Sequence, residues 1–233
     1  MLKISNLLLI AVLGVLNLTN GQVIAWKNFT LEKIAVNAEV VTMQGEQVLK
    51  VQRDLNIAPF DLNNVEATVD GPTFLRIKEM ELENGTLEVK MLSRIMDNSP
   101  FPAARGFIGI AFRIDDKNEN FESIYLRPAN GRSDDDLRRN RAIQYFSFPD
   151  YKFARLRRES PGLYEGNADI GLDEWIDIRM EFQNSQAAIY INKQKLPTFS
   201  VKQLLGKTIR GSIGLWVDVG TVGYFKDLKI SEN

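Results

Sequence analysis

The 233-residue chain contains no cysteine and no histidine. Without cysteine there are no disulfides, no thiolate nucleophile, no iron–sulfur ligands and no N-terminal cysteine for a lipid anchor. Without histidine there is no Ser-His-Asp triad, no imidazole base and none of the usual imidazole zinc sites. Chemistry is left to carboxylates, tyrosine, lysine, arginine or a hard metal. A charge imbalance is also missing: the formal net charge is −1, which gives no general basic field for a nucleic-acid partner. Long apolar runs are scarce. One, residues 7–16 (LLLIAVLGVL), follows Lys3 and precedes Thr19-Asn20-Gly21. It is too short for a bilayer span of ~20 residues and matches the core of an export signal. The expectation is a signal peptide over residues 1–21. The mature chain would then start near Gln22, carry no membrane span, and be secreted or periplasmic. Freedom from cysteine suits a bacterial envelope.

What is present is strand pattern. Leu87, Val89 and Met91 alternate with Thr86, Glu88 and Lys90, and Ile176, Ile178, Met180 and Phe182 alternate with Asp177, Arg179 and Glu181. Period two of this kind predicts half-buried antiparallel strands. Further strands are expected at 34–41, 47–51, 74–78, 106–113, 123–127, 187–191, 212–217 and 224–230, with turn residues such as Asp70-Gly71-Pro72, Asn84-Gly85 and Asn130-Gly131 between them. Helix is sparse. Ser133 before Asp134, Asp135 and Asp136 predicts one short helix, with Ser133 as its cap, and residues 201–205 a single turn. With 44% hydrophobic residues and no repeat or linker, one all-β domain over 22–233 is expected. Its form would be a two-sheet antiparallel sandwich or jelly roll.

Several segments together resemble a known superfamily. They are Glu174-Trp175-Ile176-Asp177-Ile178-Arg179, Ala188-Ile189-Tyr190-Ile191-Asn192, Gly211-Ser212-Ile213-Gly214-Leu215-Trp216 and the stretch from Tyr224 to Ile230. Asn84-Gly85-Thr86-Leu87-Glu88 precedes them. In this order they resemble the closing half of the concanavalin A-like lectin/glucanase superfamily, including laminin G-like and keto-disaccharide-hydrolase-like bacterial domains. The resemblance implies a jelly roll with a concave sheet used for glycans, and a structural calcium as its one addition; no other cofactor is expected. It does not carry an activity, since this fold serves lectins, hydrolases, lyases and protein-binding modules. The Glu-x-Asp-x-x-Glu strand of family-16-type glucanases is absent, as are the histidine elements of alginate-lyase-like jelly rolls.

Residues 125–165 carry the unusual chemistry. Between Arg127 and Arg158 lie eight arginines and Lys152 against four aspartates. Strand phase puts Gly109, Ala111 and Arg113, then Ser123, Tyr125 and Arg127, then Gly214 and Trp216 on one open face. Aromatic faces stack on sugar rings, and guanidinium forks bind hydroxyls and carboxylates. The expected ligand contacts are Arg113, Tyr125, Arg127, Arg141, Gln144, Tyr145, Tyr164 and Trp216. Arg138, Arg139, Arg157 and Arg158 read as solvated charge. Glu165 with Asp169 is the expected carboxylate pair if a glycosidic bond is hydrolysed, with Glu122 and Asp115 or Asp116 as alternatives; a tyrosine base would serve β-elimination. No metal ligand set is assigned. Asp115-Asp116-x-Asn118-x-Asn120 lacks the glycine and terminal glutamate of a calcium loop and reads as a polar hairpin. The leading expectation is an exported carbohydrate-binding protein, with an acidic glycan as the sharper form. A glycoside hydrolase or polysaccharide lyase and a laminin G-like protein-interaction module are the alternatives.

Overall fold

The computed structural model describes residues 22–233; the expected export segment, residues 1–21, lies outside them. No helix among the described residues is long and apolar enough to cross a membrane. The strands begin with β1 (Val23–Trp26), β2 (Phe29–Ile34), β3 (Val36–Met43), β4 (Glu46–Arg53) and β5 (Phe74–Ile77). Next come β6 (Gly85–Ile95), β7 (Ile108–Ile114), β8 (Phe121–Leu126), β9 (Ile143–Phe148) and β10 (Glu165–Gly166). The last are β11 (Ile176–Gln183), β12 (Gln186–Ile191), β13 (Phe199–Val201), β14 (Ser212–Val217) and β15 (Thr221–Glu232). Four short helices interrupt them: α1 (Val65–Thr68), α2 (Pro128–Gly131), α3 (Asp136–Arg139) and α4 (Phe153–Glu159).

The strands build two antiparallel sheets. One has eight strands in the order β1-β2-β5-β14-β7-β8-β9-β10, and the other seven in the order β13-β12-β11-β6-β15-β4-β3. This is the two-sheet jelly roll the sequence predicts. β6 and β11 show why the period-two signal is reliable there. Leu87, Val89 and Met91 pair across the sheet with Met180, Ile178 and Ile176, and all six are buried, while Glu88, Lys90, Asp177 and Arg179 face outward.

Differences are local. The expected strand 34–41 is broken at Ala35, whose φ of 48° turns the chain from β2 into β3. The cap of α3 is Asp135, accepting from the amides of Leu137 and Arg138, so Ser133 lies outside the helix. Residues 201–205 form no helix; Val201 closes β13. β1, β10, β13 and α4 have too few residues to show a period.

The centre of the eight-stranded sheet is buried on both faces. Every residue of β7, β8 and β14 is buried. Its inner face meets the other sheet, as Phe112 does against Phe182 at 5.1 Å between ring centres. Directly paired residues share a face, so the outer face carries the row Phe74, Trp216, Gly109, Tyr125, Gln144 and Glu165. Gly109 makes this row work. A Cβ there would lie 2.5 Å from the Cα of Tyr125. With none, the Tyr125 and Trp216 rings meet across the gap at 4.9 Å, and Phe146 joins them at 5.8 and 5.5 Å. The Trp216 indole N–H then donates to the Gly71 carbonyl at 2.9 Å, tying down the loop ahead of β5.

Gly109→Ala is therefore expected to overpack this row and cost about 1–3 kcal/mol. Urea unfolding together with near-ultraviolet circular dichroism checks it: stability should fall and the aromatic signal should change.

Candidate functional site

The cover of that outer face encloses a cavity of about 310 Å³. Its floor is Tyr125, and its walls come from segments that cross the sheet. Val65, Val69 and Asp70 lie before β5, Phe101, Ala103, Arg105 and Phe107 lie before β7, and Phe153 and Arg157 belong to α4. Asn130, Arg138, Arg141, Arg127 and Asp218 complete it. Five arginines and two aspartates thus face one small space beside four aromatic rings.

Arg127 is the hub. Its Nη2 donates to the Tyr125 hydroxyl oxygen (2.5 Å) and to Gln144 Oε1 (3.1 Å), and its Nη1 to the Arg141 carbonyl (3.2 Å). The guanidinium also lies over the Tyr125 ring at 4.9 Å and the Phe153 ring at 6.0 Å. Burial pushes the Tyr125 hydroxyl well above its ordinary range, against the opposing effect of Arg127.

The arginines divide into two kinds. Arg127, Arg141 and Arg157 all pair with Glu165, at 3.3, 3.3 and 2.5 Å. Arg105 and Arg138 have no carboxylate within 4 Å among the described residues. Arg105 donates only to the adjacent Ala104 carbonyl (2.7 Å). Burial, followed by repulsion from Arg138 and Arg127, lowers its pKa from the ordinary arginine value. The Arg138 Nε and the Asn130 Oδ1 are buried without a hydrogen-bond partner.

The expected contacts separate accordingly. Tyr125, Arg127 and Arg141 line the cavity. Gln144 and Trp216 are on the same face but sit beneath it, both with no exposed surface. Tyr145 is the neighbour of Gln144 in β9, so alternation sends it to the inner face. There its hydroxyl donates to Glu122 at 2.6 Å and accepts from the Leu205 amide at 2.7 Å. Tyr164 packs on it, ring centres 5.3 Å apart, with its hydroxyl on the Gln203 carbonyl (3.3 Å).

Arg113 also departs from the expectation, because β7 carries a bulge. Phe112 and Arg113 together oppose the single residue Ile213, and Arg113 has a φ of 52°. An extra residue shifts the side-chain phase. Arg113 therefore reaches the carbonyls of Glu83 (3.0 Å) and Asn184 (2.5 Å) and the carboxylate of Glu122 (3.5 Å), away from the cavity. Burial raises the pKa of Glu122, and the hydrogen bonds from Tyr145 and the Gly206 amide oppose that.

The expected catalytic pair is not assembled. Both oxygens of Glu165 are committed to arginines, and Glu165 does not line the cavity. Asp169 is an exposed partner of Arg132 at 2.5 Å. Conversely, Arg138 and Arg157, read from sequence as solvated charge, belong to the cavity wall. Asp115 spends its carboxylate on its own turn, accepting from the Glu119 amide and the Asn120 side chain, both at 2.8 Å.

Three charged residues of the cavity carry no expectation from sequence: Arg105, Asp70 and Asp218. Asp70 sits in a turn signal, Asp70-Gly71-Pro72, and turns are where aspartates are unremarked. Asp218 had a readable clue, for it follows Trp216 by two residues and so keeps the outward phase. Its Oδ1 accepts from Arg53 (2.6 Å) and the Val219 amide (2.7 Å), and its Oδ2 from the Asp70 amide (2.9 Å). Asp70 Oδ2 accepts from the Phe153 amide (2.8 Å). Burial, and then repulsion by Asp218, push the Asp70 carboxyl from 3.8 up to about 6.

No family model matches the sequence, and no curated protein matches it. Solved structures do share the architecture. The carbohydrate-binding module CBM66 from Bacillus subtilis aligns with 86% of this chain and 97% of its own, at 14% identity and a TM-score of 0.52. What is shared is the fold, a two-sheet antiparallel jelly roll. Weaker matches include a candidate glycosyl hydrolase from Parabacteroides distasonis ATCC 8503 (12% identity, 85% and 88% coverage, TM-score 0.45). Another is domain 4 of AbnA, an extracellular arabinanase from Geobacillus stearothermophilus, in complex with arabinotriose (12%, 84% and 75%, 0.43). At these identities the likeness is one of fold, and the two weaker scores bear no further weight.

Asp70 gives a stability test. A carboxyl whose pKa is raised in the folded state makes the protein less stable wherever it must ionise, that is, above pH 6. As pH falls from 6 to 3.8 the folded state takes up the proton first and the deficit disappears. Asp70→Asn keeps an acceptor for the Phe153 amide and removes the charge. It should stabilise the protein at pH 7.5 by up to about 2–3 kcal/mol, and the gain should vanish near pH 4. Thermal melts of both proteins across that range decide it; a less stable variant at pH 7.5 would show the charge to be structural.

Proposed function

We propose that this protein binds an acidic carbohydrate in the cavity on the outer face of the eight-stranded sheet. The observation that carries the reading is the pair Arg105 and Arg138, two guanidiniums of the cavity wall with no carboxylate partner among the described residues. Both are half-buried, and a ligand carboxylate or sulfate supplies the missing partner in bidentate form. Phe101, Phe107, Phe153 and Tyr125 beside them offer apolar faces for a sugar ring. The volume lies at the small end of ligand pockets, which run ~300–1,000 Å³. It suits a chain end or a short oligosaccharide over a long polymer threaded through. The fold shared with a carbohydrate-binding module supports the same reading by analogy. We assign the protein to the cell exterior on the apolar run 7–16.

Titration calorimetry with galacturonate, alginate and heparin oligosaccharides, against neutral glucan and arabinan fragments, tests the reading. Acidic ligands should bind and neutral ones should not. Arg105→Ala and Arg138→Ala should each weaken binding at least tenfold without lowering the melting temperature, and added salt should weaken it in the wild type. Arg179→Ala, on the outer face of the other sheet, should leave binding unchanged. Equal binding of neutral and acidic fragments would sink the charge argument, and no binding at all the carbohydrate reading.

A further inference from the structure

The cavity mixes apolar rings with charged groups of both signs. Arg105 and Arg138 are close enough for each to oppose the other's charge. Asp70 and Asp218 act on each other, and Arg127 acts on both Arg105 and Asp70. Of the four carboxylate oxygens there, three are taken. Asp218 has both of its own occupied, by Arg53, the Val219 amide and the Asp70 amide, and Asp70 Oδ2 holds the Phe153 amide. Asp70 Oδ1 has no hydrogen-bond partner among the described residues, although Asp70 lines the cavity and is only 2% exposed. Its backbone is held at a φ of 54°, a conformation that persists in a non-glycine residue only when its surroundings fix it.

We propose that Asp70 is the hydroxyl-reading contact of this cavity: an acidic sugar binds with its anionic group on Arg105 and Arg138 and a ring hydroxyl donating to Asp70 Oδ1. The inference rests on the acidic-carbohydrate reading above and adds an orientation and a pH limit to it. The groups around Asp70 are Asp218 after β14, Tyr125 in β8, Arg127 just beyond it, and Lys152 with the Phe153 amide at the start of α4. Arg127 and Lys152 favour the ionised form of Asp70, and burial lowers the Lys152 pKa. A uronate carboxylate, with an ordinary pKa of ~3.5, stays ionised above pH 5, as does a sulfate. Asp70, with its carboxyl pushed up to about 6, is thus the group that changes state between pH 5 and 7. A hydroxyl donates best to the ionised oxygen, so binding should weaken as the pH falls.

The test is calorimetry of wild type, Asp70→Asn and Arg105→Ala with trigalacturonate and a heparin tetrasaccharide at pH 5, 6, 7 and 8. Wild-type affinity for the ligand that binds should fall about tenfold from pH 7 to pH 5. Asp70→Asn should bind about as weakly at pH 7 as wild type does at pH 5, and its affinity should be flat across the range. Arg105→Ala should be weaker at every pH and keep the wild-type slope. Melting temperatures confirm folding of each variant. Flat wild-type binding, or a slope that survives in Asp70→Asn, overturns the role of Asp70 while leaving the acidic-carbohydrate reading intact. Absence of binding by wild type to either acidic probe overturns both. Release of new reducing ends by wild type but not by Asp70→Asn would make Asp70 a catalytic acid and overturn its role as a ligand contact.

Discussion

The structure depends on one constraint: the centre of the eight-stranded sheet is apolar on both faces. Its inner face has the seven-stranded sheet to cover it. Its outer face, with Trp216, Tyr125, Phe146, Phe121 and Phe74 all fully or nearly buried, has only loops and short helices. An aromatic side chain buries ~150–250 Å², which at ~25 cal/mol per Å² is a gain of about 4–6 kcal/mol for each ring. A gain of that size draws the segments before β5, before β7 and after β9 across the sheet. Such a cover is made of chain that changes direction, and it cannot interlock as two sheets do. A cavity is what remains where its pieces fail to meet over Tyr125.

That origin explains why the cavity is rich in arginine. A guanidinium on a long stem can cover an aromatic face while keeping its charged head in a polar setting. Arg127 over Tyr125 and Arg157 over Phe153, the latter at 4.8 Å, do this within the cover. Glu165, at the end of the outer row, then pairs with three arginines from one position. Buried ion pairs add little net stability, but removing one partner leaves the others uncompensated and costs several kcal/mol. Glu165 therefore ties three arginines of the cover to the end of the sheet. Arg105 and Arg138 fall outside its reach, which is what leaves them available.

The same constraint sets what can be read from the sequence. β6 and β11 have one face toward water, so polar and apolar residues alternate and the strands declare both their existence and their facing. β7 (IGIAFRI), β8 (FESIYL) and β14 (SIGLWV) declare only existence, because an apolar residue is welcome on either side. Facing there has to be carried by counting in twos. Counting succeeds for Tyr125, Arg127 and Trp216. It fails for Arg113 because the β7 bulge adds a residue that no local signal marks. Tyr145 and Gln144, adjacent in one strand, could never both face the same groove. Asp70, Arg138 and Arg157 were out of reach for another reason: they stand on the cover, whose course is set by the aromatic face beneath it and not by its own periodicity.

Asp70 is the residue for which structure supplies too little reason. Its local demands are a positive φ and an acceptor for the Phe153 amide. Asparagine meets both, since it tolerates left-handed backbone as readily as aspartate and carries a carbonyl oxygen in the same place. What aspartate adds is a negative charge next to a second buried carboxylate, and burial and that neighbour both oppose it. Arg53 is already matched to Asp218, and Lys152 is already satisfied by the carbonyls of Glu66 and Ala67 at 2.5 and 3.1 Å. Among the described residues no cation is ion-paired with Asp70, although Arg127 and Lys152 lie near enough to favour its charge. Perturbed carboxyls with no structural use concentrate where proteins handle ligands, and this one opens onto the cavity where two arginines also stand without partners. Three groups that the fold leaves unsatisfied, of opposite sign and within one small space, describe the complement of a single ligand better than they describe three separate defects of packing.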